Sequence, residues 1–310
     1  MKQITDSIVM VRPVNFRMNE ETAVNNYFQH KFKTDSKSVN ELAQEEFDTF
    51  VQKLKMIGID VTVLEDTLSP DTPDAIFPNN WISFHENGDV ALYPMFAENR
   101  RLERREDIFE ILENKGFHIE NIVDYTEAEE EEFFLEGTGS IILDRVHQKA
   151  YCALSARADE ELFIEFCEDF EYTPVIFQAY QTVNNARELI YHTNVMMCIG
   201  EDFAIICLDC IDDKKERKSV VQHLKDSGKE IIAITEKQVA QFAGNMLQVA
   251  SNEGKKYLVM SSSAYNSLNE KQIENIQKYA TIFHTDLEVI ETCGGGSARC
   301  MMAEVFLPKK

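Results

Sequence analysis

Apolar and polar positions along the chain repeat in one order of predicted elements: strand, strand, helix, strand. In the first complete copy, residues 74–84 and 89–95 have the character of two strands joined by an Asn-Gly turn. Residues 101–115 then carry apolar side chains at helical spacing, and residues 117–123 return as a strand. A chain that alternates strands and helices in this way is typical of a mixed α/β fold.

The same order recurs along the rest of the chain. Three further copies are predicted over residues 133–178, 189–235 and 245–285. A fifth copy is split, with a first strand at residues 298–307 and the remaining elements at residues 7–64. We therefore predict one domain over residues 1–310, a five-bladed α/β propeller of ββαβ units. Its N- and C-terminal segments pair to complete the fifth unit, which removes exposed sheet edges.

Each unit has one polar side chain among the apolar neighbours of its predicted first strand. These residues recur at intervals of 53 to 56 positions and are Asn80, Glu136, His192, Asn245 and Cys300. Equivalent positions in a five-fold ring converge on its axis. We therefore expect these five side chains to meet in a single functional site.

Cys300 is the predicted nucleophile of this site. It follows three consecutive glycines, Gly294 to Gly296, which allow the backbone to approach a ligand closely. A buried cysteine is more commonly a small apolar side chain, and we interpret Cys152 and Cys198 in that way. Cys293, at the start of the same glycine loop, is the competing thiol.

A thiol nucleophile requires a base, because the thiolate is the reactive form. His192 is the only histidine in the repeated position, and it is suited to take a proton from Cys300 and return it to a leaving nitrogen. Glu136 is suited to pair with His192 or to hold a substrate N–H group. The alternatives are a histidine whose ring is satisfied within the core and a glutamate that faces water.

The balance of charged residues excludes some classes of binding partner. With 31 basic and 54 acidic residues the net charge is −23, which argues against nucleic acid and anionic membranes. No apolar stretch is long enough for a membrane span and no signal peptide is recognisable, so we expect a cytoplasmic protein with reduced cysteines. The cysteine spacing predicts no metal site, and thiol and imidazole chemistry requires no cofactor.

These motifs resemble the penteins, the guanidino-group-modifying enzymes, over essentially the whole chain. The sequence is most similar to the group that is associated with citrulline use, and the family fold has five such units around a pseudo-five-fold axis. The family nucleophile matches Cys300 in Ser-Ala-Arg-Cys-Met, its histidine matches His192, and its acidic residue matches Glu136 in Glu-Gly-Thr-Gly. The resemblance thus implies a catalytic role for all three.

The resemblance also implies substrate-binding residues. Relatives place substrate-binding acids in the motif that runs here from Asp74 to Asn80. Arginines that hold a substrate carboxylate match Arg157 and one residue of the Asn-Arg-Arg-Leu-Glu motif, for which we take Arg101, with Arg100 and Arg104 left open. Arginine suits this role because its planar fork binds a carboxylate through two hydrogen bonds.

Three asparagines depart from the family pattern. Asn79, Asn80 and Asn194 stand where many relatives have carboxylates. Carboxylates suit a guanidinium cation, which has only N–H donors, whereas an amide offers a donor and an acceptor to a neutral ureido group. The substitutions therefore favour a citrulline-like substrate, and Asp74 remains available for an amino or N–H group.

The sequence thus predicts a cysteine-dependent hydrolase of a non-peptide C–N bond in a small ureido or guanidino amino acid, acting through a covalent S-intermediate. An amidinotransferase, an arginine deiminase-like guanidine hydrolase and a non-catalytic amino-acid-binding protein are the alternatives. The expected partner is a small amino-acid substrate, and a homo-oligomer is left open.

Overall fold

The computed structural model describes residues 1–34 and 37–309. The strands within this part of the chain are β1 (Ser7–Arg12), β2 (Asp60–Glu65), β3 (Ile82–Phe84), β4 (Asp89–Leu92), β5 (Asn121–Asp124), β6 (Ile141–Asp144), β7 (Lys149–Ala153), β8 (Thr173–Phe177), β9 (Tyr180–Val183), β10 (Ala186–Leu189), β11 (Met197–Ile199), β12 (Phe203–Ile206), β13 (Glu230–Ala233), β14 (Leu247–Ala250), β15 (Lys256–Ser261), β16 (Thr281–Thr285) and β17 (Ala303–Glu304).

The α-helices vary from one turn to five. They are α1 (Val39–Met56), α2 (Glu98–Arg101), α3 (Asp107–Asn114), α4 (Gly137–Ser140), α5 (Glu160–Asp169), α6 (Lys214–Asp226), α7 (Glu236–Val239), α8 (Ser262–Ser267), α9 (Glu270–Gln277) and α10 (Glu288–Gly294). The longest, α1, begins with a capping box in which the Ser38 hydroxyl accepts from Glu41 N–H and the Glu41 carboxylate accepts from Ser38 N–H. Its buried face packs Phe47, Phe50 and Leu54 into the core.

Five three-stranded sheets share one topology. Each has an antiparallel pair followed by a parallel pair: β3-β4-β5, β6-β7-β8, β11-β12-β13, β14-β15-β16 and β17-β1-β2. A helix connects the second and third strands of each sheet, as a parallel connection requires. The strand, strand, helix, strand order therefore agrees with the sequence pattern, and β9 and β10 add a separate hairpin.

The fifth sheet joins segments from both ends of the chain. Strand β17 pairs antiparallel with β1, with Ile8 opposite Glu304 and Val9 opposite Ala303. Strand β1 then pairs parallel with β2 along all six of its residues. This agrees with the expected pairing of the N- and C-terminal segments. The described residues form a mixed α/β structure of six separate sheets, not one closed barrel.

The first strand of each sheet begins later than the sequence pattern predicted. Residues 74–84 were expected to be one strand, but Pro78–Asn80 form a 3-10 turn and only Ile82–Phe84 form β3. Similarly, α4 occupies Gly137–Ser140, and a 3-10 turn occupies Thr193–Val195. The repeated polar residues therefore lie in turns before the strands, because local hydrogen bonds such as Trp81 N–H to the Pro78 carbonyl replace the strand ladder there.

Within residues 1–34 and 37–309, none of the helices combines the length and the apolar character that crossing a membrane requires.

Close packing between these turns generates a prediction for Gly244. A Cβ atom at this position would collide with the backbone carbonyl of Val195 and lie 2.7 Å from the carbonyl carbon of Met196. Since backbone cannot move aside cheaply, we expect Gly244→Ala to lower the free energy of unfolding by about 3 kcal/mol. Urea denaturation would measure this change.

Gly228→Ala is the matched control for that measurement. Gly228 has a φ of +68° and no atom within 4 Å of an added Cβ, so the variant tests backbone conformation without a collision. We expect a loss of about 1 kcal/mol there. Equal losses at both positions would contradict the packing argument.

Candidate active site

The turns that precede the first strands enclose a narrow cavity of about 10 Å³. Asn80, His192 and Cys300 line it, so three of the five repeated positions meet there. The other lining residues are Asn26, Asp74, Phe77, Arg100, Arg157, Tyr191, Gly294 and Gly296. A volume of this size holds about one water molecule. The site is therefore closed in this conformation, and the Cys300 residue is only 3% exposed.

Glu136 and His192 form a short polar contact at this site. The Nε2 atom of His192 lies 2.7 Å from Oε2 of Glu136, and both side chains are buried. Because a carboxylate faces Nε2, this nitrogen carries a proton and Nδ1 is the free ring nitrogen. The structure thus pairs the two residues as one of the sequence-based alternatives expected.

Buried charges act on both members of this pair. Burial alone would raise the pKa of Glu136, but the positive charges of Arg157 and Arg100 and the hydrogen bond from His192 lower it below its usual range. Burial lowers the pKa of His192 to about 4, against the opposing effect of Glu136. At neutral pH the site therefore holds an ionised carboxylate beside a neutral imidazole, which is suited to accept a proton.

Two asparagine amides donate to the sulfur of Cys300. Nδ2 of Asn245 lies 3.1 Å from Sγ and Nδ2 of Asn194 lies 3.3 Å from it. Oδ1 of Asn245 also accepts from the backbone N–H of Arg299 and of Cys300, which fixes the turn that carries the sulfur. N–H donors at this distance favour a negative charge on sulfur. Asn245 occupied a repeated position in the sequence, but its contact with Cys300 was not predicted.

Arg100, not Arg101, lines the cavity. Its guanidinium forms two hydrogen bonds of 2.9 Å with the Glu103 carboxylate and donates to Oδ1 of Asn80 at 2.8 Å. Arg101 points away and donates to the backbone carbonyls of residues 95 and 96, while Arg104 pairs with Glu129. The structure therefore brings Arg100 rather than Arg101 to the cavity, because successive residues of the short helix α2 face different sides, and substrate binding by Arg101 stays a prediction.

A segment from residue 19 to residue 30 covers the cavity, and we call it the covering segment. Arg157 donates from Nε to Oδ1 of Asn25 at 3.0 Å and from Nη2 to the Thr22 carbonyl at 2.9 Å. Gln29 donates to the Gly294 carbonyl on the opposite wall at 3.1 Å. These polar contacts were invisible to the sequence pattern, because the segment has neither helical nor strand periodicity.

Asp74 lies under the covering segment, and only one of its two carboxylate oxygens accepts hydrogen bonds among the described residues. Oδ2 accepts from Nδ2 of Asn19 at 2.8 Å and from the Thr22 hydroxyl at 3.0 Å. Oδ1 is buried and has no hydrogen-bond partner among residues 1–34 and 37–309. Burial raises the pKa of Asp74 despite the nearby Arg100. An unsatisfied buried carboxylate oxygen is costly, and a ligand N–H group would satisfy it.

The three asparagines that distinguish this chain occupy different positions. Asn80 lines the cavity, with Oδ1 engaged by Arg100 and Nδ2 donating to Asn79 at 3.2 Å. Asn79 does not line the cavity and contacts the Thr138 hydroxyl at 3.3 Å. Asn194 contacts Cys300, and its buried Oδ1 has no partner in the described chain. Asn80 lines the cavity and Asn194 contacts Cys300, so these two asparagines are placed to contact a ligand in the cavity.

Across the described ranges, no group of three or more His, Cys, Asp or Glu side chains is arranged to hold a metal ion. The seven cysteines are free and buried. Cys293 belongs to the glycine loop but does not line the cavity, whereas Cys300 does. The structure therefore separates the two thiols that the sequence left in competition.

Solved structures with the same fold include enzymes of arginine metabolism. The full chain of ArgZ, an arginine dihydrolase from the ornithine-ammonia cycle in cyanobacteria, matches with a TM-score of 0.74 and 16% identity, over 98% of this chain and 41% of that one. The N-terminal domain of ArgZ, as a cysteine-to-serine variant bound to substrate, matches with a TM-score of 0.72 and 17% identity, over 97% and 99% of the two chains. The present chain thus spans about two-fifths of full-length ArgZ.

A third neighbour is a cysteine-to-serine variant of DDAH from Pseudomonas aeruginosa complexed with citrulline. It matches with a TM-score of 0.65 and 14% identity, over 97% of this chain and 99% of that one. No curated protein matches the chain. At these identities the neighbours establish that the fold is shared.

A match to a family model assigns the chain to a particular enzyme family. The model described as "N,N dimethylarginine dimethylhydrolase, eukaryotic" matches residues 12–307, which is nearly the whole chain. The protein therefore belongs to the N,N-dimethylarginine dimethylhydrolase family. This assignment agrees with the expectation of a hydrolase that acts on a non-peptide C–N bond.

The contact between Asn194 and Cys300 generates a prediction about thiol reactivity. Asn194→Ala removes one of two N–H donors from the sulfur and leaves the backbone carbonyl that Asn245 contacts. We expect alkylation of Cys300 by iodoacetamide at pH 7 to slow by roughly fivefold, because such a bond contributes about 1 kcal/mol. Peptide mass spectrometry would measure the rate. Alkylation of Cys293 in the same samples should not change, and equal slowing of both would contradict the prediction.

The low pKa of His192 generates a prediction about stability. The unfolded chain takes up a proton on this histidine near pH 6.5, whereas the folded chain takes it up only near pH 4. Stability from this group is therefore complete above pH 6.5 and lost as the pH falls toward 4. At about 1.4 kcal/mol for each pKa unit, the loss is roughly 3 kcal/mol.

Urea denaturation of the wild type and His192→Gln at pH 7 and pH 4.5 would test this. Glutamine keeps an N–H donor for Glu136 but does not titrate, so the variant should lose less stability on acidification than the wild type. Equal losses in the two proteins would contradict the assignment.

Proposed function

We propose that the protein is a cysteine-dependent hydrolase that breaks a C–N bond in the ureido or guanidino group of a small amino acid. The observation that carries this proposal is the shared cavity of Cys300 and His192, with Glu136 at 2.7 Å from the imidazole. Nucleophile, base and orienting carboxylate are the minimum set for nucleophilic catalysis. Membership of a dimethylhydrolase family supports the same chemistry.

The first step forms a covalent S-intermediate. Neutral His192 takes the thiol proton of Cys300 as sulfur attacks the planar carbon, and the imidazolium is stabilised by Glu136. Asn194 and Asn245 stabilise negative charge on the sulfur through their amide N–H groups. The imidazolium then protonates the departing nitrogen as the C–N bond breaks. One structural neighbour, an ArgZ domain covalently bonded to a reaction intermediate, supports this proposal by analogy.

The second step releases the product. Neutral His192 removes a proton from a water molecule, which attacks the carbon bonded to sulfur, and Cys300 leaves as a thiolate. For citrulline the attack of water yields a carbamic acid, whose remaining C–N bond breaks on loss of carbon dioxide. The overall change would therefore consume one water and yield ornithine, ammonia and carbon dioxide. Restoring the proton to sulfur returns the site to its starting state. Neither step assigned to these residues uses a metal ion or an organic cofactor.

A citrulline-like substrate is favoured over free arginine. Around the sulfur, the amides of Asn80, Asn194 and Asn245 supply neutral donors and acceptors. Arg100 also lines the cavity and would repel a guanidinium cation. Asp74 is the one cavity-lining carboxylate among the described residues, and its free Oδ1 is suited to an N–H group of either substrate class. The carboxylate character of Asp74 is the observation favouring the second candidate, hydrolysis of arginine or dimethylarginine, because a carboxylate suits a guanidinium cation.

Substrate binding requires the covering segment to move. The cavity holds about one water, so an amino acid fits only after Asn25 and Thr22 leave Arg157. A substrate carboxylate would then take their place on the Arg157 guanidinium. Closing the segment over the bound substrate would exclude water and strengthen the electrostatic interactions between substrate and site.

We further propose that the five three-stranded sheets form the blades of one propeller domain. Support comes from their first strands, since β3 lies against β17, and β11 lies against both β6 and β14. A small amino acid is the proposed partner of the site at their centre.

Incubation of the protein with citrulline, arginine and N,N-dimethylarginine would test the function. We expect ornithine and ammonia from citrulline, measured by mass spectrometry and a coupled ammonia assay. Cys300→Ser should reduce turnover by more than a thousandfold, because a hydroxyl is a far weaker nucleophile than a thiolate.

Cys293→Ser is the matched control, because this cysteine lies in the same loop but does not line the cavity. It should retain turnover. Full activity in Cys300→Ser would overturn the mechanism, while arginine or dimethylarginine turnover far above citrulline would overturn only the substrate preference. A new product formed on adding an acceptor amine would indicate amidino transfer, and binding without turnover of any substrate would indicate the non-catalytic alternative.

A further inference from the structure

A second cavity, of about 510 Å³, lies away from Cys300. It is found at the turns that follow the first strands of two sheets, whereas the narrow cavity lies at the turns that precede them. Glu86 after β3, Arg145 after β6 and Tyr172 before β8 line it, together with Phe306 from the C-terminal segment. The two cavities share no lining residue. A volume of 510 Å³ is within the range of small-molecule sites.

Arg145 is a buried cation with no counter-charge among the described residues. Only 4% of the residue is exposed, and within residues 1–34 and 37–309 its guanidinium forms no ion pair. Nearby carboxylates are already engaged, since Asp144 pairs with Lys229 at 3.3 Å and Glu304 pairs with Arg299 at 2.8 Å. An unpaired buried charge is expensive, so this arrangement is unusual unless a ligand supplies the anion.

The surroundings of Arg145 are suited to hold an anionic group. Its guanidinium carbon lies 4.0 Å from the ring centroid of Phe306, which leaves the edge of the fork free for hydrogen bonds. The hydroxyl of Tyr172 is buried beside this guanidinium, in the same cavity, and has no well-formed hydrogen bond in the described chain. A carboxylate between these two groups would satisfy both, because it accepts several hydrogen bonds at once.

Three exposed carboxylates, Glu86, Asp169 and Glu171, line the outer part of the cavity together with the cationic Lys2 and the N-terminal amine of Met1. The Met1 amine lies 3.7 Å from Glu86, whereas Asp169 and Glu171 form no ion pair among the described residues. Their carboxylates would repel a ligand that is only anionic and would attract a cationic group. A ligand that matches both ends therefore has a carboxylate directed inward and a positive charge several bonds away.

We propose that this second cavity binds a free amino acid with a cationic side chain. Its carboxylate binds Arg145 and Tyr172, and its side-chain cation binds the acidic rim. The proposal does not rest on the chemistry at Cys300, because none of the residues involved lines the narrow cavity.

Isothermal titration of the full chain with L-lysine would test this. Lysine has neither a guanidino nor a ureido group, so turnover at Cys300 does not complicate the measurement. We expect Arg145→Gln to weaken binding at least tenfold and Arg187→Gln, on the β9–β10 hairpin outside both cavities, to leave it unchanged. Cadaverine, which lacks the carboxylate of lysine, should bind at least tenfold more weakly to the wild type.

Thermal denaturation without ligand supplies a second readout. Since Arg145 is an unpaired buried charge, Arg145→Met, which removes the charge but keeps an apolar contact with Phe306, should melt at the same temperature as the wild type or higher. A markedly lower melting temperature would reveal a structural partner for Arg145 and overturn the proposal. Lysine binding that survives Arg145→Gln or disappears in Arg187→Gln would also overturn the proposal. Binding of inorganic phosphate without any binding of lysine would overturn it as well.

Discussion

The ionised carboxylate of Glu136 is the interaction on which the site depends. It is fully buried, and it accepts from His192 at 2.7 Å and from the backbone N–H of Phe96 at 3.0 Å. Arg157 and Arg100 lie 3.5 and 3.8 Å away and keep it charged. Removing one partner from such a buried charged group costs roughly 3–5 kcal/mol. The same carboxylate therefore orients the imidazole and ties together turns from several sheets.

Closure of the cavity has two opposing consequences. Burial lowers the pKa of His192 and keeps it a base, and exclusion of water strengthens every charge interaction around Cys300. The covering segment also occupies Arg157 and Asp74, the two charged groups proposed to bind the substrate. On that proposal, binding exchanges the polar contacts of Asn19, Thr22 and Asn25 for those of the substrate, and the covering segment is part of the binding equilibrium.

Several features were predictable from the sequence because they repeat. Apolar residues at every second position predict strands, and apolar residues about 3.6 positions apart predict helices, so the order of elements could be recognised. The near-constant spacing of the repeated polar residues, among them Glu136, His192 and Cys300, could be recognised in the same way. The errors occur where local hydrogen bonding interrupts the pattern. Residues 78–80 were assigned to a strand, but a turn beginning at Pro78 uses those backbone groups instead. The sequence also could not choose between Arg100, which lines the cavity, and Arg101, because a motif does not indicate which side of a one-turn helix faces inward.

The sequence by itself determined the repeated unit, the mixed α/β class and the residue types available for thiol chemistry, because periodicity and side-chain identity are local properties. Only the tertiary structure decided that Asn245 donates to Cys300, that Asn25 occupies Arg157 and that Arg145 has no counter-charge within the described ranges. The two hydrogen bonds join residues more than 50 positions apart. Such contacts are set by how the turns of separate sheets pack, and burial then decides the charge state of each group.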